Sequence, residues 1–258
     1  MVRCAEVVDR LTVHAIVLRR RDAGESDRRL TILTREQGVF DVIAKGARKA
    51  SSRLTGSSEP LVACIMHLTK GKVNWFVTQV QPATSFPGLR ADYDRLSLGL
   101  AIAELASGVL PHDKESEAEF QCVLESLRYL EVHTEPLVAY VWASLRLLRL
   151  SGFMPHWLTC VATGTTINEP QPLLSPMAGG YVCPSVASRY HDTFRSTFEA
   201  VVGLSKPSEL ERPPVQLKHV ADCARALHQF WRAVIDRPLP ANEAVLQALT
   251  ANGTGKQG

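Results

Sequence analysis

The sequence predicts an α+β chain, with a small antiparallel barrel in residues 1–82 and a helical domain after it that carries an irregular excursion. Three observations point there. Short apolar, strand-like runs fill the first 82 residues, separated by turn chemistry. From about residue 90 the apolar spacing becomes helical. Between two helical stretches lies a segment rich in Pro, Gly and Thr.

Five strands are expected, over Leu11–Arg20, Arg28–Thr34, Val39–Lys45, Leu61–Thr69 and Val73–Gln81. Asp22-Ala23-Gly24, Glu36-Gln37-Gly38 and Lys70-Gly71-Lys72 supply the turns after the first, second and fourth. Five short antiparallel strands in about 80 residues fit a closed barrel of the OB-fold type. On the fifth strand Val73, Trp75 and Val77 oppose Asn74, Phe76 and Thr78. Trp75, which shares a face with two valines, is therefore expected inside, and Phe76 outside.

The helical part begins with a nearly uncharged stretch, Asp92–Leu110, which Pro111 ends. Glu115–Val132 follows. Thr134 is expected to cap a third helix, with Glu135 and Pro136 in its first turn and Gly152 at its end. A shorter helix is expected over Tyr190–Val202. A last one spans Val215–Ile235, where Leu217, Val220, Ala224, Leu227, Trp231 and Val234 form one stripe. The division is thus 1–82 barrel, 83–156 first helical part, 157–188 excursion, 189–250 second helical part and 251–258 a disordered tail.

At 258 residues, 45% apolar and 21% charged, the chain has the composition of a globular protein rather than a disordered one or a coiled coil. No apolar run reaches the roughly 18 residues of a membrane span. The N-terminus lacks a signal-peptide pattern, so the cytoplasm is the expected location. Cys64, Cys122 and Cys223 sit among apolar residues and read as core, whereas Cys160 and Cys183 flank a loop that raises a metal question. Residues 1–82 carry a balance of +6 and the remainder −3, an asymmetry that directs the search for a polyanion site to the barrel.

The basic stretch VIAKGARKASSRLTGSS, residues 42–58, is the strongest candidate. Lys45, Arg48, Lys49 and Arg53 would follow a phosphate backbone, and small neighbours would let it approach closely. A solvated loop is the plainer reading of any charge run. Arg19, Arg20 and Arg21 at the end of the first strand extend the track, as do Lys70 and Lys72 around the last hairpin. Phe76 is the candidate for base stacking. Arg28 and Arg29 are expected to pair locally with Glu25 and Asp27. No catalytic motif stands out: there is no H-E-x-x-H and no G-x-S-x-G, and GTGKQG lacks the phosphate-loop form. No enzyme is expected.

The segment 14–61, HAIVLRRRDAGESDRRLTILTREQGVFDVIAKGARKASSRLTGSSEPL, closely resembles the bacterial RecO family of DNA recombination and repair proteins. FPGLRADYDRL at 86–96, LRLLRLSGFMP at 145–155, AGGYVCP at 178–184 and DRPL at 236–239 continue the resemblance in order. It implies an N-terminal OB-fold for DNA binding, a helical domain and a zinc-ribbon-like excursion. It also implies a nucleoid-associated mediator that binds single- and double-stranded DNA and anneals complementary strands. The partners it implies are RecR, the acidic C-terminal tail of single-stranded-DNA-binding protein and, indirectly, RecA. On the third helix, Arg146 and Arg149 would meet that acidic tail. The alternative is an adaptor for RecR or the binding-protein tail whose DNA affinity is incidental.

Two departures from the family pattern stand out. Where two C-x-x-C pairs would hold zinc, this chain has Cys160 with Thr163 and Cys183 with Val186. His156 and His191 do not complete a known finger spacing, so no zinc is expected and the excursion should be held by Trp157, Leu173, Leu174 and Tyr181. After DRPL, basic residues give way to Pro240, Ala241, Asn242 and Glu243.

Overall fold

The structure, a computed structural model, describes residues 9–112 and 114–254. The chain divides into two compact units, Met1–Phe86 with Leu110–Leu124, and Pro87–Val109 with Glu125–Gly258.

In the first unit, β1 (Arg10–Ala23), β2 (Asp27–Thr34), β3 (Gly38–Ala44), β4 (Ala63–Lys70) and β5 (Trp75–Thr84) close a barrel in the order β1-β2-β3-β5-β4. All pairings are antiparallel except β3 with β5. Five strands in this order, with a helix α1 (Leu54–Ser57) between β3 and β4, make an OB-fold barrel. Alternation builds its core. Val13, Ala15 and Val17 of β1, Leu30 and Ile32 of β2, and Cys64, Met66 and Leu68 of β4 all point inward and are buried. Leu54 of α1 packs against this cluster. Burial pushes the Cys64 thiol up to about 12, so it behaves as a small apolar residue.

The β2–β3 turn needs glycine. Gly38 has φ +66°, and a Cβ there would lie 2.5 Å from the Pro111 carbonyl oxygen. That carbonyl accepts from the Val39 N–H at 2.9 Å.

The second unit holds α2 (Pro87–Ala91), α3 (Tyr93–Val109), the end of α4 (Glu117–Val132), α5 (Pro136–Leu150), α6 (Phe198–Leu204), α7 (Val220–Val234) and α8 (Pro240–Thr254). Among the described residues no helix is long and apolar enough to cross a membrane. Helix α5 is buried almost throughout from Val138 to Leu148 and packs on α3 and α7. Its N-cap is Glu135 without a side-chain bond, not Thr134, so Pro136 rather than a cap sets where it begins.

Three expectations change here. The last predicted helix starts at Val220 instead of Val215, because His219 takes a left-handed conformation, φ 53°, that a helix cannot propagate through. In place of a helix over Tyr190–Val202, Phe194–Arg195 forms strand β8 and α6 begins after Thr197, whose hydroxyl accepts from the Ala200 N–H. Residues 251–254 of the expected disordered tail belong to α8, and the rest of the tail lies outside the described residues, as does Cys4.

The excursion is more ordered than its composition suggested. Strands β6 (Leu173–Ser175) and β7 (Gly180–Val182) join β8 in a sheet of order β7-β6-β8. Leu174 and Tyr181 are fully buried, and Trp157 meets Phe230 of α7 edge-on with ring centres 5.1 Å apart.

Candidate nucleic-acid interface

A β-bulge decides which arginines face outward. The register of β1 on β2 shifts between Val17 and Arg19. Without it, Arg19 and Arg21 would continue the inward row of Val13, Ala15 and Val17. With it, Arg19 lies opposite Thr31 and Arg21 opposite Arg29, on the outer face. The register carries on across the sheet: Arg29 opposes Ile43, and Ile43 opposes Phe76. Arg21, Arg29, Ile43 and Phe76 thus form one row over four strands, spanning about 15 Å at the usual strand spacing. Beside it runs Arg19–Thr31–Asp41, in which Asp41 accepts from the Thr31 hydroxyl at 2.7 Å and lies 3.6 Å from Arg29.

Arg20 goes the other way. Its guanidinium donates to Glu59 at 2.9 Å, and Arg28 reaches the same carboxylate at 3.1 Å, along with the Ser58 hydroxyl and the Thr55 carbonyl. Arg20 therefore leaves the expected track and helps Arg28 hold α1. Neither Arg28 nor Arg29 pairs with Glu25 or Asp27 as expected: alternation sends one to Glu59 and the other to Asp41. Arg29, expected only to pair locally, instead stands in the outward row, and the signal for that place is this alternation.

The basic segment is folded onto the β1–β2 turn. The Arg48 N–H donates to the Ser26 carbonyl at 2.9 Å, its guanidinium donates to the Gly24 carbonyl at 2.9 Å, and Asp22 stands 3.5 Å away. The Gly46 N–H donates to Asp27 at 2.8 Å. That bond, with the Ser26 hydroxyl and the charges of Lys45 and Lys49, holds the Asp27 carboxyl below the ordinary range. Arg48 is thus partly neutralised by its role as a tie. No carboxylate among the described residues lies within salt-bridge distance of Lys45, Lys49, Arg53 or Lys72.

Lys45 reaches β5, its ammonium 4.4 Å from the Phe76 ring centre. The other edge of that ring rests on Gly71, where an added Cβ would come within 2.6 Å of it. The β4–β5 hairpin therefore abuts the same ring, with Lys72 exposed on it and Val73 88% exposed. Trp75, as expected, packs toward the barrel core, and Lys70 stands 5.6 Å over its ring and 4.0 Å from Asp9. The surface so formed combines the β2–β3 face with the β1–β2 and β4–β5 loops, the region by which OB-folds take oligonucleotides.

Elsewhere, Arg146 donates to Glu125 at 2.8 Å and covers the Trp142 ring at 4.7 Å, while Arg149 lies 4.0 Å from Glu209. In the excursion, Thr163 and Val186 supply no second thiolate to Cys160 and Cys183. Among the described residues no three of His, Cys, Asp or Glu come together to hold a metal, so the donor set does not fit a four-ligand zinc site.

Barrel, loops and cationic row define an OB-fold protein with a basic outer surface and an appended helical unit. The N-terminal domain model of recombination protein O matches residues 9–86 and the C-terminal one residues 90–243. The DNA repair protein RecO of Roseiflexus sp. (strain RS-1) is 36% identical over 173 residues, 67% of this chain and 61% of the relative. That of Heliobacterium modesticaldum is 39% identical over 172 residues, 65% and 62%. That of Gloeobacter violaceus is 32% identical over 234 residues, 88% of each. The chain spans about three fifths of the length of the first two relatives and most of the third. It belongs to the RecO family.

Proposed function

We propose that this protein is a non-catalytic mediator of DNA repair and recombination, which binds single- and double-stranded DNA across the outer barrel face and anneals complementary strands. The row Arg21–Arg29–Ile43–Phe76, flanked by Lys45 and Lys49, carries this reading. It offers cations for phosphates and an aromatic ring for a base on one continuous surface. Annealing breaks no covalent bond. It needs two polyanions neutralised side by side, which exposed lysines and arginines supply. The names of the relatives, DNA repair protein RecO, support the same reading. In it, RecR and the acidic tail of single-stranded-DNA-binding protein are partners in loading the recombinase. A tail at Arg146 and Arg149 would have to displace Glu125 and Glu209, so unchanged tail-peptide binding in the Arg146→Ala, Arg149→Ala double variant removes that site.

The test is binding of a labelled mixed-sequence single strand across a salt series. Each lost phosphate contact flattens the slope of log K against log salt by about 0.7. Changing Lys45, Arg48, Lys49 and Arg53 to Ala should flatten it by roughly 2, short of four full contacts because Asp22 already occupies part of Arg48. Annealing should fall with it while RecR binding persists. An unchanged slope and affinity overturn the DNA reading and favour the adaptor.

A further inference from the structure

The excursion contains a built thiol pair that the proposed DNA surface does not use. The Cys183 N–H donates to the Cys160 sulfur at 3.3 Å. The Thr163 hydroxyl, which bonds Cys160, also lies 3.4 Å from the Cys183 sulfur, and the Ser185 hydroxyl lies 3.1 Å from that sulfur. Burial alone would push the Cys160 thiol up. The Thr163 hydroxyl and the N–H groups of Cys183, Ala162 and Thr163 outweigh it and bring the group down to about 6. Cys64, buried without such donors, goes the opposite way, to about 12, and so does Cys223, where burial and the Asp222 charge outweigh its own N–H. Both sulfurs are covered, yet Ala162–Thr166 and Pro184–Ser185 beside them are exposed, so a small oxidant has a short path. The donors that would steady thiolates toward a cation are in place, while the ligands needed to hold one are not.

We propose that Cys160 and Cys183 are a hydroperoxide-responsive pair that closes into an intramolecular disulfide, tying the turn after Trp157 to the end of β7. In the first step the Cys160 thiolate attacks the peroxide. An S–O bond forms, the O–O bond breaks, and hydroxide leaves to be protonated to water. In the second step Cys183, having given up its thiol proton, attacks the sulfenic sulfur. The S–S bond forms and the S–O bond breaks, releasing a second water after protonation. The two thiols lose two electrons and the peroxide gains them. A dithiol reductant reverses the bridge by exchange.

The experiment treats the full-length chain with hydrogen peroxide, digests it without reduction and maps linked peptides by mass spectrometry. A peptide pair joining Cys160 to Cys183, lost on dithiothreitol treatment, is the expected result. The rate should fall roughly tenfold between about pH 8 and about pH 5, as the Cys160 thiolate is protonated. In Cys183→Ser the sulfenic acid on Cys160 should persist and react with dimedone. In the wild-type chain, the bridge should slow proteolysis within residues 157–188. If both thiols stay reduced, if Cys160 passes to sulfinic acid unlinked, or if it links to another cysteine, the proposal is overturned. The wild-type peptide map decides this even where the variant fails to fold.

Discussion

The ammonium of Lys45 stands 4.4 Å over the ring of Phe76, joining the basic segment after β3 to the strand that closes the barrel. A cation on one side of a partly exposed ring leaves the ring as a platform bordered by charge, and in the proposed DNA complex the two would act on one nucleotide, phosphate and base together. Phe76→Ala should weaken single-strand binding by about 1–3 kcal/mol, a factor of roughly 5 to 150 in Kd. The salt slope should stay near the parent's, because no charge is lost. Phe76→Tyr should retain most of the affinity. Anisotropy titrations of the three proteins decide it, and equal affinities would mean that the ring only packs on Gly71.

The bulge at Val17–Arg19 separates three adjacent arginines by role. Arg21→Ala and Arg29→Ala should each flatten the single-strand salt slope by about 0.7. Arg20→Ala should leave the slope alone and cost at most about 1 kcal/mol in stability, since its partly exposed pair with Glu59 is also served by Arg28. A matching loss of slope in Arg20→Ala would place the DNA on the opposite face of β1.

The single track that the sequence predicts for Arg19, Arg20 and Arg21 marks what a sequence of this kind makes legible. Inward rows such as Val13-Ala15-Val17 and Cys64-Met66-Leu68 declare themselves by alternation, and the turns by their glycines and aspartates. A bulge has no comparable signature: one inserted residue, Leu18, reverses the face of everything after it on that strand. The cationic segment was legible as charge, but its tie to Ser26 and Gly24 joins residues some twenty positions apart, which local patterning does not encode. The sheet in the excursion was hidden for a related reason: its strands are two and three residues long, too short for a period to show.

Asp27 links that tie to pH. Its carboxyl titrates below the ordinary 3.8 in the folded protein, chiefly through the Gly46 N–H. A depressed carboxyl stabilises the fold fully above its unfolded value, and the contribution fades as pH falls through that value toward the folded one. Asp27→Asn should therefore show a shallower loss of stability between about pH 5 and about pH 3 than the parent. Denaturant midpoints measured across that window give the two slopes. Identical slopes would mean that the Gly46 contact adds nothing to the acid response, and the segment would need another anchor.

Asn242 makes the most demanding prediction, because the sequence reading saw it only as part of a stretch that had lost its basic residues. It is 1% exposed, and its amide carries the start of α8. The Tyr140 hydroxyl donates to Oδ1, while Nδ2 donates to the Ala101 carbonyl at 3.1 Å and to Glu104 at 2.8 Å. Glu104 also accepts the N–H groups of Ala241 and Asn242, at 3.1 and 3.0 Å, so a carboxylate from α3 caps α8 across 138 positions of sequence. Asn242→Ala strips this network at its centre. The Tyr140 hydroxyl and the Ala101 carbonyl lose partners inside the buried core, which costs about 1–3 kcal/mol. The barrel keeps its own core, so DNA affinity and its salt slope should match the parent at temperatures where both proteins are folded. Asn242→Asp should be worse than Asn242→Ala, since it sets a second carboxylate against Glu104. Urea midpoints for the three proteins, with the anisotropy titration as a control, test the assignment; midpoints within experimental scatter of one another would mean that α8 is held by its apolar contacts alone.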